Sequence, residues 1–228
     1  MMPFFSRTGT GRTIRATHAA GWGILVSARG VWRTEGFAPD RAGGDNGAWT
    51  SSEEFKRGAR STPDPCLKTF DAFVTAMAGK ISWLVVPDIV QGGERSWAMT
   101  RYWLRKLRRD RRCKGMELMI AVQDGFDFDM VAPFLGPRVG VFVGGSTEWK
   151  LRTMRQWRIV AHARGATCHV ARVNTVKRIR QCARAKVDRI DGSSVTRFLD
   201  TLPLLDGAVR AAVDFVQRQG ELFEEQAA

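Results

Sequence analysis

The chain has little tyrosine, histidine or proline, with one, three and eight of them in 228 residues, and its 23 acidic side chains are outnumbered by 36 basic ones. Each shortage excludes something. The four cysteines, Cys66, Cys113, Cys168 and Cys182, stand far apart with no CxxC pair, so they read as reduced thiols, forming neither a disulfide framework nor a zinc site. The longest apolar runs, "GILV" and "WLVV", fall far short of the roughly 18 residues of a membrane span. The opening residues "MMPFFSRTGTGR" have no apolar core or cleavage site of a secretory signal, which predicts a cytoplasmic location. HExxH, a Walker-type loop and GxGxxG are missing, so metalloprotease, P-loop and dinucleotide-binding chemistry lack their motifs. "GTGRT" at Gly9 looks like a fragment of a phosphate loop but precedes no helix signal, and it is discounted. Nothing repeats at a solenoid period.

Positive charge is abundant. A formal net charge of +13 and a pI near 10.6 are the footprint of polyanion binding, because each neutralised phosphate releases counterions. Of the 36 basic residues 28 are Arg, a bias that coding composition alone can produce, so charge suggests nucleic acid without establishing it.

Apolar runs recur along the chain: "WGILVSA", "SWLVVPD", "MELMIAVQDG", "VGVFVGG", "TCHVARV" and "VDRIDG". Short and apolar on both faces, they read as buried parallel strands, with one or two more expected near the amino terminus. Amphipathic stretches lie between them: Met99, Trp103 and Leu107 share one face, and so do Leu151, Met154 and Trp157, and Val176, Ile179 and Cys182. A terminal helix is expected over about 206–218, with Val209, Val213 and Val216 on its packed side. The rhythm is that of right-handed βαβ units, which predicts a single α/β domain over 1–228: a (β/α)8 TIM-barrel-like fold, complete or trimmed, with an open doubly wound sheet as the alternative. Gly30 to Pro65, rich in Gly, Ser, Asp and Arg, reads as a long active-site loop.

Polar or glycine residues close five strands in series: Asp88, Gln123-Asp124-Gly125, Gly144-Gly145-Ser146, Arg172-Val173-Asn174 and Asp191-Gly192-Ser193. In parallel α/β folds these positions converge on one mouth. Carboxylates facing an amide and a glycine pair suit a planar, hydrogen-bonding heterocycle such as a purine.

The order of "DNGAW" (Asp45 to Trp49), "VVPDIV", "AVQDG", "VFVGGSTEWKL", "HVARVNT" and "DRIDGSSVTRF" resembles tRNA-guanine transglycosylase-like proteins, most closely the branch of phages and bacterial modification islands that inserts 7-deazaguanines into DNA. The resemblance spans roughly Asp45 to Phe198. It implies a TIM barrel that exchanges guanine in DNA for a free 7-deazaguanine base, such as 7-cyano-7-deazaguanine, without a cofactor or metal, in the host cytoplasm if the chain is phage-encoded. By the same resemblance Asp191 is the nucleophile at the sugar C1′ and Asp45 the general acid/base. Asp88, Gln123, Gly144, Gly145 and His169 bind the base. Such a carboxylate pair fits retaining glycosyl transfer through a covalent Asp-deoxyribose intermediate. The zinc site of the tRNA enzymes is missing, since no Cys follows Cys182 and no His follows His169. Gln91 in "DIVQGG" competes with Gln123. Asp188 competes with Asp191, and three residues apart on a strand only one of them faces inward. An RNA substrate and a catalytically silent nucleic-acid-binding barrel are the alternatives.

A duplex guanine has to be flipped out, at roughly a few kcal/mol, while cations hold the strand. Lys150, Arg152, Arg172, Asn174 and Arg197 follow strand ends and are the candidates, with Arg29, Arg33 and Arg41 in the long loop. "KLRRDRRCK", Lys106 to Lys114, ends a helix before a strand and reads as a solvated helix end on the opposite face. His169 reads from the residues alone as a packed core histidine, and Trp49 as a platform on which a base could stack.

Overall fold

Strands that are apolar on both faces need cover on both sides, and a closed barrel wrapped in helices supplies it. The structure, a computed structural model, describes residues 1–225, and side chains as far as residue 214. Eight parallel strands close in sequence order: β1 (Met2–Ser6), β2 (Gly23–Ser27), β3 (Ala42–Asp45), β4 (Trp83–Val85), β5 (Glu117–Val122), β6 (Val139–Val143), β7 (Cys168–Val170) and β8 (Arg189–Gly192). β8 pairs with β1 and shuts the barrel, with Asp191 opposite Phe4. The fold is thus a single (β/α)8 barrel, and no strand has been trimmed.

The helices are less complete. α1 (Gly11–Ala19) follows β1, but β2 reaches β3 through a loop and one 3-10 turn, Pro39–Arg41. α2 (Ala48–Lys56) and α3 (Leu67–Met77) follow β3, and α4 (Gly93–Arg109) follows β4. A single turn, α5 (Phe128–Val131), follows β5. α6 (Thr147–His162) and α7 (Val176–Arg184) come next, then α8 (Ser194–Arg197) and α9 (Leu202–Glu225) after β8. α9 extends past both bounds of the expected terminal helix. Its Val209 is buried, whereas the side chain of Val216 lies outside the described residues. No helix among the described residues is long and apolar enough to cross a membrane.

Two expectations fail locally. The segment from Gly30 to Pro65 is not one long loop, since it contains β3 and α2. β3 reads "AGGD" because its glycines are demanded by packing: a Cβ on Gly43 would come within 2.1 Å of the Trp83 indole, and one on Gly44 within 2.8 Å of Ile81. "GTGRT" does start a helix, with the Thr10 side chain accepting from the Thr13 amide as the N-cap of α1.

Two apolar layers hold the barrel. Inside it, Phe4, Leu25, Trp83, Val85, Met119 and Phe142 fill the lower part, with Phe4 edge-on to Trp83 at 5.2 Å between centroids. Between the strands and the helices lies the larger core, which includes Phe70, Phe73, Leu104 and Trp157. Above this plug of inward side chains, a cavity opens at the carboxyl ends of the strands, where the polar residues gather.

Candidate active site

Asp45 closes β3 beside Ser27 at the end of β2, and the register sets the two opposite each other. Its Oδ2 accepts from Ser27 Oγ and from the Gly47 amide, both at 3.0 Å. Asp191 lies in β8, where Oδ1 accepts from His169 Nε2 at 2.9 Å and Oδ2 from the Arg172 amide at 3.3 Å. Asp88 follows β4 and is buried, its Oδ1 accepting from Asn46 Nδ2 at 2.7 Å, while that same amide nitrogen donates to Val86 O. All three aspartates line one cavity of about 640 Å³ at the carboxyl ends of the strands.

Their electrostatics are linked. Burial pushes the Asp45 carboxyl up, its bonds from Ser27 and Gly47 oppose the rise, and the charge of Asp191 adds to it. Burial likewise pushes Asp88 up to about 7, against the Asn46 bond and with help from the charge of Asp45. Asp88 is therefore about half protonated at neutral pH, and ionising it beside Asp45 in the same low-dielectric hollow carries a cost. Burial pushes His169 down despite the pull of Asp191, so the ring is neutral and Nε2 donates to the carboxyl, leaving Nδ1 without a partner.

The rim is built by the loops after β5 to β8. Gly144 and Gly145 both line the cavity. Gly145 has φ +70°, and a Cβ there would come within 2.5 Å of Asp124 Oδ2, the carboxylate that receives the Ser146 amide and hydroxyl at 2.6 Å each. Gln91 and Gln123 both line it too, but the Gln123 amide is engaged as a brace, donating to Ile89 O and Ser96 Oγ and accepting from the Gln91 amide. Gln91 is left as the glutamine with a side chain free to meet a ligand. Asn174 Oδ1 accepts from the Ser193 and Ser194 amides and so ties the loop after β7 to the loop after β8. Arg172 holds φ +57°, bonds Gly145 O, and sets its guanidinium 4.2 Å from the Trp49 ring centroid; Trp49 is 45 % exposed at the mouth.

Of the cations in the wall, Arg7 and Arg29 are paired with Glu35 and Glu54, and Lys56 with Glu53. Arg172 and Arg197 have no ion-pair partner among the described residues. Among those residues, too, no group of three or more His, Cys, Asp or Glu is placed to hold a metal ion.

Several expected contacts are not at the mouth. Lys150, expected to hold nucleic acid, is 1 % exposed and donates through Nζ to Ala171 O, because it shares the inward stripe of α6 with Met154, Trp157 and Ala161. That spacing of four, then three, then four was legible and places Lys150 behind the barrel wall. Arg152 is exposed, lies 3.7 Å from Glu148 and does not line the cavity. His169, expected to touch a base, is fully buried beneath the cavity, with its ring stacked on Phe142 and its Nε2 on Asp191. Arg33 does not line the cavity, and Arg41 sits at the other end of the barrel, bonded to Gly21 O. Asp188 faces the helix side, accepting from the Cys168 amide and pairing with His162. Ser6, Arg7, Thr8 and Asn46 line the cavity unforeseen. The first three lie at the end of β1 and just after it, on a strand expected near the amino terminus but not located there because its apolar run is too short to show a period.

No family model and no curated protein matches the chain. Solved structures do: 89 chains match, among them one described as "Native KDPGal structure", a KDPGal aldolase, at a TM-score of 0.54 and 10 % identity over 96 % of this chain and 97 % of that one. At that identity the likeness establishes the barrel alone. The expectation of a DNA 7-deazaguanine transglycosylase is corrected: the fold neighbour is a lyase and not a glycosyltransferase, and nothing places the chain in the transglycosylase family, in DNA modification or in a phage. The physical reason lies in the fragments that carried the resemblance. They fall at the ends of β3 to β8, where any parallel barrel presents polar and glycine residues.

Proposed function

We propose that this barrel is an acid–base enzyme of the lyase or isomerase type, moving a proton at carbon or oxygen next to the carbonyl of a small phosphorylated substrate. The observation that carries the reading is the meeting of Asp45, Asp88 and Asp191 in one cavity whose unpaired cations, Arg172 and Arg197, follow β7 and β8. Barrel enzymes frequently seat a phosphate at the loops after those two strands. Guanidiniums match its geometry and charge.

The roles follow from the surroundings of each acid. Asp191, oriented at both oxygens by His169 and the Arg172 amide, is the base that takes a hydroxyl or α-carbon proton. Asp88, protonated near neutrality, delivers a proton to the carbonyl oxygen as electrons arrive there. Asp45 holds the substrate hydroxyls and adds its charge to the rise that burial gives the Asp88 pKa. In a β-hydroxy carbonyl compound, loss of the hydroxyl proton to Asp191 breaks the carbon–carbon bond, and the pair moves to the carbonyl oxygen as Asp88 protonates it. The fold neighbour, an aldolase, is consistent with such chemistry. Imine formation has no support here, since Lys150 lies behind the wall and Lys56, the only lysine lining the cavity among the described residues, is paired with Glu53.

The test is proton NMR of phosphorylated hydroxy-aldehydes, hydroxy-ketones and keto-acids incubated with the protein in deuterated water. Deuterium entering next to a carbonyl, or cleavage beside it, is expected with at least one of them, reduced more than about 100-fold by Asp191→Asn. Neither exchange nor cleavage with any of the panel overturns the reading.

A further inference from the structure

We propose a second binding site on the amino-terminal face of the barrel, taking a compact ligand with two or more linked phosphates. A hollow of about 700 Å³ opens there between the end of α4, the 3-10 turn Arg111–Cys113, the start of β5 and the segment leading into β6. Arg108, Arg109, Arg111, Lys114 and Arg138 all line it, all are exposed, and none has an ion-pair partner among the described residues. Among the described residues Asp110 is the one carboxylate in its wall, and the Arg112 guanidinium takes both its oxygens, from Nε at 3.0 Å and from Nη2 at 2.6 Å. The charge of the hollow is thus left uncompensated by the protein.

A solvated helix end accounts for part of this, since cations at the carboxyl end of α4 oppose its dipole. It accounts for Arg108 and Arg109 but not for Arg111, Lys114 and Arg138, which lie off the helix and still face the same space. Like charges brought together by separate segments repel unless an anion joins them. Arg108 is also held in place, donating from Nη2 to Phe134 O at 2.9 Å. The cations surround one concavity and do not run along a stripe, and the size is that of a small-molecule pocket, which suits a condensed phosphate chain better than a nucleic-acid strand. The site is separate from the carboxylate cavity, at the opposite ends of the same strands.

Calorimetric titration with sodium tripolyphosphate at about 150 mM salt tests this, carried out on the Arg172→Gln/Arg197→Gln protein so that phosphate held at the mouth adds nothing. One saturable site is expected, at least tenfold tighter than for orthophosphate and weakened at least tenfold by adding Arg111→Gln and Arg138→Gln. Adding Arg12→Gln and Arg180→Gln instead, two exposed arginines elsewhere, is expected to leave it within twofold. Absence of saturable binding, or equal loss in the two sets of variants, overturns the proposal. So does tighter binding of a 20-nucleotide single strand that the Arg111 and Arg138 changes abolish, which would make the face a nucleic-acid surface. All three readouts are independent of catalysis at the mouth.

Discussion

A buried carboxyl with a single amide donor ties folding to pH at Asp88. Its folded pKa of about 7 stands above the 3.8 of an unperturbed aspartate, so between about pH 4 and pH 7 the folded chain binds more protons than the unfolded one. Stability therefore falls as pH rises through that window, and the full loss, roughly 4 kcal/mol in the limit, is present above it. Asp88→Asn keeps an oxygen for the Asn46 amide and removes the ionisation. Chemical denaturation should show it more stable than wild type at pH 8 and nearly equal at pH 4, with no catalytic turnover. Lys150 carries the opposite sign. Burial, together with the nearby Arg172, lowers its ammonium from 10.5 to about 8, while Asp191 pulls the other way, so the unfolded chain binds the extra proton between those values and stability rises with pH across them. Lys150→Met should flatten that rise. Near pH 7 it should change stability by less than about 2 kcal/mol, because relief of desolvation offsets the lost bond to Ala171 O.

Among the elements, β3 shows why periodicity misses some strands. Its sequence carries no apolar alternation, because Trp83 occupies the space a side chain on Gly43 would need, so the strand's core contribution comes from a residue 40 positions away. Gly43→Ala should destabilise the barrel by about 2 kcal/mol or more, through overpacking against an indole with no free direction to move. A melt unchanged within error would mean that the barrel interior is looser than its contacts indicate. Six of the eight strands were legible, five of them from short, largely apolar runs and β8, "RIDG", from the polar turn that closes it. The helices α4, α6 and α7 were legible because their stripes keep helical spacing, but which side chain of a stripe points inward was misread at Lys150.

For the whole molecule, the strand–helix rhythm was enough to give the barrel, and the barrel rule was enough to bring Asp88 and Asp191 to one end, whereas Asp45, on a strand read as loop, was singled out only by the resemblance. The chemistry they perform was not legible in the same way, since short polar fragments at strand tips are common to barrels of unrelated activity. Nor was the distribution of charge: the net +13 hides two separate sets of unpaired cations, one at each end of the barrel. The account depends most on the coupling of the three acids across the mouth, and carbon-13 NMR titration of the aspartate carboxyls reads it directly. Asp88 should titrate with a midpoint near 7, moving down in Asp45→Asn, and the Asp45 midpoint should move down in Asp191→Asn. A midpoint for Asp88 near 4, indifferent to Asp45, would show that the carboxyls do not share a common low-dielectric cavity and would contradict the account.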